Sequence, residues 1–225
     1  MRLEKASPKA IKFACLSYHY SKVNPPNSFG YAVFNDDKEF CGVVLYGVGA
    51  NNNIGEPYGL RKGQVAELVR VALNGKQSTT VQVLALSRKI FKKHNPTVQM
   101  IVSFADSEQG HKGTIYQADN WYYAGDTIAA DEYIYKGKRW HGRAFRSQFG
   151  SHKNFVDKGL KIIKGSTKHR YLYPLDKSLI PMCKELSKPY PKKQTSDSSI
   201  TANAVADQAT EGGQHHPIAQ NTLSL

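Results

Sequence analysis

Two β-type runs with an amphipathic helix between them restrict the possible folds of this chain more than any other feature. Residues 78–94 (STTVQVLALSRKIFKKH) repeat apolar side chains at helical spacing, carry cations in the last turns, and stop before Pro96. The runs on either side, residues 64–73 and 98–106, are apolar and typical of strands. This strand–helix–strand order predicts an α/β fold.

The neighbouring segments extend this pattern into a mixed central sheet flanked by helices. The other predicted elements are a strand at residues 12–18, a hairpin of residues 30–36 and 40–49, a short helix at 110–120 and β structure at 121–135. Ser78 is the predicted N-cap of the long helix. Residues 64–73 are predicted to form a strand whose side chains alternate between two faces. One face carries Val65, Glu67, Val69, Val71 and Leu73.

The positive charge is concentrated in one segment. The 225 residues carry a formal net charge of +13, and residues 136–194 alone hold 16 Lys and Arg against three acids. We therefore predict an ordered domain at residues 1–135 and a basic, aromatic-containing extension at 136–194 that packs on it and contacts a polyanion. Residues 195–225 have few large apolar side chains, which predicts a disordered tail.

Cysteine usage and hydropathy favour a cytoplasmic protein without a membrane segment. Cys15, Cys41 and Cys183 are widely spaced and form neither a zinc pattern nor a disulfide framework, so buried, unreactive thiols are expected. No apolar run approaches the roughly 20 residues that span a bilayer, and residues 1–21 lack the pattern of a signal peptide.

Three places hold residues that suit chemistry, and each has a purely structural alternative. The linker before the long helix offers backbone amides with Gly75, Ser78, Thr79 and Thr80 as a phosphate site, although most such turns bind nothing. The other two are SYHYS (17–21), where a strand would put Ser17, His19 and Ser21 on one side, and the strand end at Asp106 with the following Tyr116. A hydrogen-bonded core histidine, a helix cap and a core aromatic are the alternatives.

The order of these elements resembles the second half of the N-acetyltransferase (GNAT) superfamily. In that superfamily the linker before the long helix binds the pyrophosphate of acetyl-CoA, and a tyrosine in a Tyr-x-x-x-Gly-Phe segment protonates the departing thiolate. IYQADNW aligns with this segment, so the resemblance implies Tyr116 as the general acid, with Asn120 and Trp121 in place of Gly-Phe. The linker also departs from the superfamily pattern, because Gly75 stands there alone.

Several longer motifs in one order resemble a narrower family, the Mom family of bacteriophage DNA-modification proteins. They are ACLSYHYS, NIGEPYGL, ELVRVAL and IVSFADSEQGHKGTIYQADNWYYAG. The resemblance implies a GNAT-like fold, methylcarbamoylation of adenine N6 in double-stranded phage DNA in the host cytoplasm, and protection from restriction enzymes. By motif, it implies functional roles for His19, Tyr20, Arg70, Asp106 and Tyr116. It also implies an acyl-CoA-type donor and associates iron with the family, without giving a ligand set.

This chemistry assigns further expectations to individual residues. Adenine N6 is a poor nucleophile, so His19 or Asp106 would accept its proton, while Arg70 would stabilise negative charge or hold a phosphate. Simple acetyl transfer does not by itself give the methylcarbamoyl product, so an additional step is required. N6 of a stacked base is reached by flipping the base out. Trp121, Tyr122 and Tyr123 are expected to supply a stacking surface, with core packing as the role of at least one of them.

The basic segment interleaves cations with aromatic residues, which predicts contact with DNA. The residues expected there are Lys138, Arg139, Trp140, Arg143 and Arg146. A basic surface that is merely packed through its aromatic side chains is the alternative. His111 is expected to be a surface or capping residue. Two rival functions stay open: a GNAT-type acetyltransferase acting on a protein or small-molecule amine, and a DNA-binding protein without activity.

Overall fold

The part of the chain that the computed structural model describes, residues 1–48 and 53–191, contains ten strands and five α-helices. The strands are β1 (Arg2–Lys5), β2 (Ser28–Phe34), β3 (Phe40–Gly47), β4 (Val65–Leu73), β5 (Met100–Asp106), β6 (Tyr122–Asp126), β7 (Asp131–Tyr135), β8 (Lys138–His141), β9 (Lys161–Lys164) and β10 (Lys168–Pro174). The helices are α1 (Pro8–Tyr18), α2 (Thr80–His94), α3 (Thr114–Ala118), α4 (Gly142–Phe149) and α5 (Ile180–Glu185).

Seven strands form a large sheet in the order β1-β2-β3-β4-β5-β10-β6. Its neighbouring strands are antiparallel except for β4 and β5, which run parallel. The parallel ladder has only three residue pairs, from Val65–Met100 to Glu67–Val102. Beyond Glu67 the two strands separate, which opens the sheet towards their carboxyl ends. The predicted fold class, α/β with a mixed central sheet flanked by helices, is confirmed.

The long predicted helix and the hairpin are both present. α2 packs its apolar face on the large sheet, and the ring of Phe91 stacks on Tyr46 of β3 with 4.2 Å between centroids. β2 and β3 pair antiparallel over the predicted hairpin, whose last residue, 49, lies outside the described residues. The predicted short helix is α3, and the predicted β structure after it divides into β6 and β7.

The prediction of a strand at residues 12–18 is wrong, because this stretch belongs to helix α1. Ser7 caps the helix by accepting a hydrogen bond from the Ala10 amide at 3.2 Å. Pro8 lies in the first turn. The backbone N–H groups there have no carbonyl partner within the helix, so proline, which lacks this group, loses no hydrogen bond. The buried side chains follow helical spacing and are Ile11, Ala14 and Cys15. The Ser-Pro start signal outweighs the β-type composition of KFACLSY.

The predicted alternation along β4 is also wrong, because a β-bulge interrupts it. Leu45 pairs with Arg70 while Tyr46 pairs with Leu68, so Val69 is an extra residue without a partner of its own. The parity of the buried positions therefore changes at the bulge. The β4 side chains that pack into the same cluster as α2 are Ala66, Leu68, Val71 and Leu73.

Residues 131–164 form a second unit, here called the small-sheet unit. Its sheet has the order β8-β7-β9, and α4 packs against β7 and β8. A cluster of aromatic side chains with Leu160 holds it together: Tyr133, Tyr135, Trp140, Phe145, Phe149 and Phe155. The chain then returns to the large sheet, where β10 lies between β5 and β6. The segment 136–194 thus contributes to both sheets.

Two further expectations concern the C-terminal tail and membrane-spanning segments. The predicted disordered tail, residues 195–225, lies outside the described residues. Within the described ranges, no helix has the length and apolar character needed to cross a bilayer.

Candidate active site

A cleft of about 1480 Å³ lies where β4 and β5 separate. One side is formed by the end of α1 and by β4, another by the end of β5 and by α3, and the small-sheet unit contributes a third wall. The five residues predicted to be catalytic come from four separate parts of the chain and all line this cleft: His19, Tyr20, Arg70, Asp106 and Tyr116.

Arg70 points into the cleft because of the bulge in β4. Regular alternation would place Arg70 on the same face of β4 as Leu68, which packs in the core. The bulge between them reverses this alternation, so Arg70 faces the cleft. The Nη1 atom of Arg70 donates to Ser21 Oγ at 2.6 Å and lies 2.8 Å from His19 Nδ1. Its Nε atom is buried and has no hydrogen-bond partner among the described residues. An anionic oxygen in the cleft would satisfy this donor.

His19 is held as a neutral ring with a defined tautomer. It follows the last residue of α1, so the strand-like alternation expected for residues 17–21 is wrong, and a turn brings His19 and Ser21 together instead. The Ser21 amide donates to His19 Nδ1 at 3.1 Å, so Nδ1 is an acceptor and Nε2 carries the proton. Burial, and then the charge of Arg70, lower the pKa of His19 to about 3.

Asp106 ends β5 and caps the turn that follows, as its structural alternative predicted. Its Oδ1 atom accepts from the Glu108 amide at 3.1 Å and from Ser166 Oγ at 3.1 Å. The side chain also lines the cleft, so the carboxylate borders the space in which a ligand would bind.

Tyr20 and His111 form an aromatic edge beside these groups. The Tyr20 ring lies 4.2 Å from the His19 ring and 4.7 Å from the His111 ring, centroid to centroid. Burial and the negative charge of Asp106 raise the pKa of Tyr20. His111 is half-buried and lines the cleft beside the Tyr20 ring.

Tyr116 lines the cleft, and its hydroxyl is hydrogen-bonded to Ser103 of β5, where β4 and β5 separate. Its Oη atom is 2.7 Å from Ser103 Oγ, which is 2.8 Å from the Leu68 carbonyl oxygen. A serine hydroxyl has a single proton, so Ser103 donates either to Leu68 or to Tyr116. When Ser103 donates to Tyr116, the phenol proton is left for the cleft. Burial raises the pKa of Tyr116 to about 12.

A buried ion pair, which sequence analysis missed, fixes the segment that carries Tyr116. Arg88 of α2 and Asp119 at the end of α3 are both buried and make a two-point contact, with Arg88 Nη2 3.0 Å from Asp119 Oδ1. Asp119 also accepts from Trp121 Nε1 at 2.8 Å. Asn120 between them has φ 56°, the left-handed conformation that glycine adopts most easily. Two features of the sequence could have indicated this ion pair: Asp119 within ADNW, and Arg88 among the apolar positions of the predicted helix.

The start of α2 carries the predicted donor site. The N-cap is Thr79 and not the predicted Ser78, because Thr79 is extended and its hydroxyl accepts from the Gln82 amide at 3.1 Å. Gly75, Gln77 and Thr80 line the cleft, whereas Ser78 and Thr79 do not belong to its lining. Gln77 was not predicted.

The atoms beside this helix start fit an acyl-CoA-type ligand. The Gln77 Oε1 atom is buried without a partner among the described residues, so it can accept a hydrogen bond from an amide N–H of a ligand. Amides in the first turn of a helix attract phosphate oxygens. The ligand that the resemblance implies contains both groups.

The described residues do not fit the iron that the resemblance implies. Across residues 1–48 and 53–191, no three His, Cys, Asp or Glu side chains are grouped as metal ligands. Both ring nitrogens of His19 lie within 3.2 Å of Arg70 Nη1, an arrangement that competes with a metal ion for them. The cysteines are buried as free thiols, as expected.

The residues predicted to contact DNA have several environments. Lys138, Arg143 and Arg146 are exposed, and Arg143 also lines the cleft. Arg139 is bound by two carboxylates, those of Glu132 and Glu108, the latter at 2.8 Å. The Trp140 ring packs in the aromatic cluster, with its centroid 5.1 Å from that of Phe149.

The stacking surface expected at residues 121–123 is wrong for two of its three members. Trp121 is fully buried and Tyr123 is 8% exposed, so neither face is open to a base. Both side chains pack in the core beneath the cleft.

The solved structures that resemble the chain include a Bacillus subtilis acetyltransferase in complex with CoA, at 13% identity and a TM-score of 0.41, covering 77% of this chain and 98% of that one. Spermidine/spermine N-acetyltransferase from Vibrio cholerae in complex with manganese ions resembles it at 10% identity and a TM-score of 0.43, covering 80% and 95%.

Sequence comparisons place the chain in a family. It is 27% identical to the methylcarbamoylase mom of Escherichia phage Mu over 129 residues, 56% of this chain and 54% of that protein, so it matches about half of the relative's length. The model of the Mom protein family matches residues 1–192. This match includes every part of the cleft, and the chain belongs to the Mom protein family.

Proposed function

We propose that this protein modifies DNA by transferring a group from an acyl-CoA-type donor to N6 of adenine. The observation that carries the proposal is the meeting of Arg70, His19, Asp106 and Tyr116 in one cleft, which Arg143 and Lys168 also line. The relative from phage Mu is named a methylcarbamoylase, and methylcarbamoyl-adenine is the product proposed here. A methylcarbamoyl group contains an amide nitrogen that an acetyl group lacks, so acetyl transfer alone does not give this product.

Asp106 is the proton acceptor in this proposal, and His19 has a different role. The N6 lone pair is delocalised into the adenine ring, so N6 needs a base that takes its proton as the N–C bond forms. The Asp106 carboxylate lines the cleft, whereas His19 Nδ1 is already occupied by Ser21 and Arg70. The protonated Nε2 of His19 is a donor, suited to a ring nitrogen of adenine.

Tyr116 and Arg70 act on the other side of the new bond. A bound acyl-CoA supplies a thioester carbonyl for attack and a thiolate as the leaving group. Tyr116 gives its proton to the sulfur as the C–S bond breaks, while Ser103 donates a hydrogen bond to the phenol oxygen and stabilises its negative charge. The unpartnered Nε of Arg70 stabilises negative charge on the carbonyl oxygen.

Gly75, Gln77 and Thr80 hold the donor at the start of α2, and Thr79 caps the helix. Gln77 accepts from a donor amide, and the first-turn amides of the helix bind its phosphates. Ser78 interacts with Gln82 instead, at 2.9 Å between Oγ and Oε1.

The small-sheet unit binds the duplex. Its residues 131–164 hold nine Lys and Arg against three acids, and the exposed cations suited to phosphates are Lys138, Arg143 and Arg146. Arg139 orients the unit through its two carboxylate partners. The target base leaves the stack to reach Asp106. In a bacterial host, DNA modified in this way resists restriction endonucleases.

Purified protein with acetyl-CoA tests the choice of acceptor. We expect release of free thiol that depends on added DNA, because the cleft is built for a nucleotide. Polyamines and lysine peptides at equal concentration serve as alternative acceptors. Thiol release with these amines at the same rate as with DNA would favour an amine acetyltransferase and contradict the proposal.

A further inference from the structure

Ile128 has a surface exposure that packing does not explain. It is 96% exposed, the highest value among the large hydrophobic side chains of the described residues. It belongs to the loop of residues 127–130, which joins β6 of the large sheet to β7 of the small-sheet unit. A fully exposed isoleucine forgoes the gain from burying apolar surface, so a buried state in a complex is its natural counterpart.

The loop that carries Ile128 is anchored at both ends. At one end the Thr127 amide donates to the Lys168 carbonyl at 2.9 Å, and the Lys168 amide donates to Thr127 Oγ1 at 3.0 Å. At the other end the Gly165 amide donates to the Ala130 carbonyl at 2.8 Å. These bonds to the chain between β9 and β10 fix the base of the loop and present the side chain at its tip.

Ile128 lies at the edge of the cleft that holds the candidate catalytic residues. Its side chain lines the same cleft as Tyr116 and Asp106 and, being almost wholly exposed, lies at the rim. Two cations, Lys168 and Arg143, also line this cleft. An apolar side chain at the rim of a cleft that cations also line complements a duplex, whose base stack is apolar between two rows of phosphates.

We propose that Ile128 inserts into the base stack of double-stranded DNA beside the target nucleotide and keeps that nucleotide out of the helix. This inference rests on the proposed function. Side chains such as isoleucine are known to wedge between base steps and unstack them. The inserted side chain occupies the space that the extruded base leaves, while the base enters the cleft towards Asp106.

The test compares duplex with single-stranded substrate. Wild type, Ile128→Ala and the control Leu186→Ala are given the same plasmid fragments, native or heat-denatured, in donor-containing extract, and modified adenine is measured by nucleoside mass spectrometry. Leu186 is 37% exposed, follows α5, and belongs neither to the cleft lining nor to the small-sheet unit. We expect Ile128→Ala to lose about tenfold or more on duplex and to stay within about twofold on denatured DNA, because a single strand has no stack to open. Equal losses on both substrates, or none on duplex, would overturn the proposal.

A second measurement needs no modification and so separates this inference from the proposed function. Permanganate oxidises thymines that have lost stacking, including the partner of an extruded adenine. On duplex fragments without donor, wild type and Leu186→Ala should create reactive thymines, and Ile128→Ala should not. If wild type modifies no adenine but this pattern holds, the wedge stands and the proposed function falls. If wild type creates no reactive thymine, the wedge falls.

Discussion

Replacing Tyr116 by Phe separates the chemistry of the cleft from its packing. The change removes one hydroxyl and leaves Ser103 bonded to the Leu68 carbonyl at 2.8 Å, so no buried donor loses its partner. The free energy of unfolding should therefore fall by only about 1 kcal/mol, the usual net worth of one hydrogen bond. Loss of a general acid should lower the rate of modification by about 10²–10⁴.

The chain contains a matched control for this substitution. Tyr46 is also buried, its hydroxyl lies 2.8 Å from Ser87 Oγ, and Ser87 in turn donates to a backbone carbonyl, that of Leu84, at 2.9 Å. It does not line the cleft. Tyr46→Phe should cost the same stability, about 1 kcal/mol, and leave the activity unchanged.

The assay measures both quantities for both variants. Urea unfolding gives the stability, and mass spectrometry of plasmid nucleosides after co-expression gives the fraction of modified adenine. The reasoning is refuted if the two variants lose activity equally, since Tyr116 would then act only through the core, or if Tyr116→Phe modifies DNA as well as wild type.

Three further predictions concern stability, pH and DNA. Asp119→Ala should lower the free energy of unfolding by about 3–5 kcal/mol, because Arg88 is left buried and unpaired; Asp37→Ala, at an exposed site, should change it by less than about 0.5 kcal/mol, and equal losses would contradict the account. The folded pKa of His19 is about 3 against an ordinary 6.5, so the unfolded chain binds its proton first and stability falls as the pH drops below about 6.5. His19→Gln should lessen that fall in thermal melts between pH 7.5 and 5, and an unchanged fall would refute it. Lys138→Ala with Arg146→Ala should reduce the slope of log K against log salt by about 1–2 for duplex binding, and an unchanged slope would remove both from the DNA contacts.

Periodicity predicted the parts of the fold that depend on local pattern. The apolar repeat of α2 and the runs of β4 and β5 were sufficient for the strand–helix–strand order. The strand expected at residues 12–18 failed because a short helix with three buried small or branched residues leaves little periodic signal, while its Ser7-Pro8 start was the clearer indication.

The geometry of the site depends on long-range pairing that a single sequence does not display. The bulge at Val69 follows from how β4 pairs with β3, and it decides where Arg70 points. The gap between β4 and β5 follows from a parallel ladder that stops at Glu67. Motif resemblance named five residues of the cleft, but only the fold shows that His19 is held as a hydrogen-bond donor.

The aromatic residues of the basic segment show a different limit. Alternating cations and aromatic side chains are compatible with stacking on bases and with packing on each other. In the structure Phe145 is fully buried among Tyr133 and Phe149, so the aromatics build the small-sheet unit and the cations face outwards. Composition is the same in both cases, and only burial distinguishes them.

The most direct test of the central claim is the nucleoside composition of DNA that has met the protein in a cell. Plasmid DNA from bacteria that express the wild-type chain is digested to nucleosides and analysed by fragmentation mass spectrometry, beside DNA from cells with an empty vector. The account predicts an adenine nucleoside whose base fragment carries a methylcarbamoyl group on N6, absent from the vector control. Ordinary deoxyadenosine alone, from cells in which the protein is folded, would contradict it.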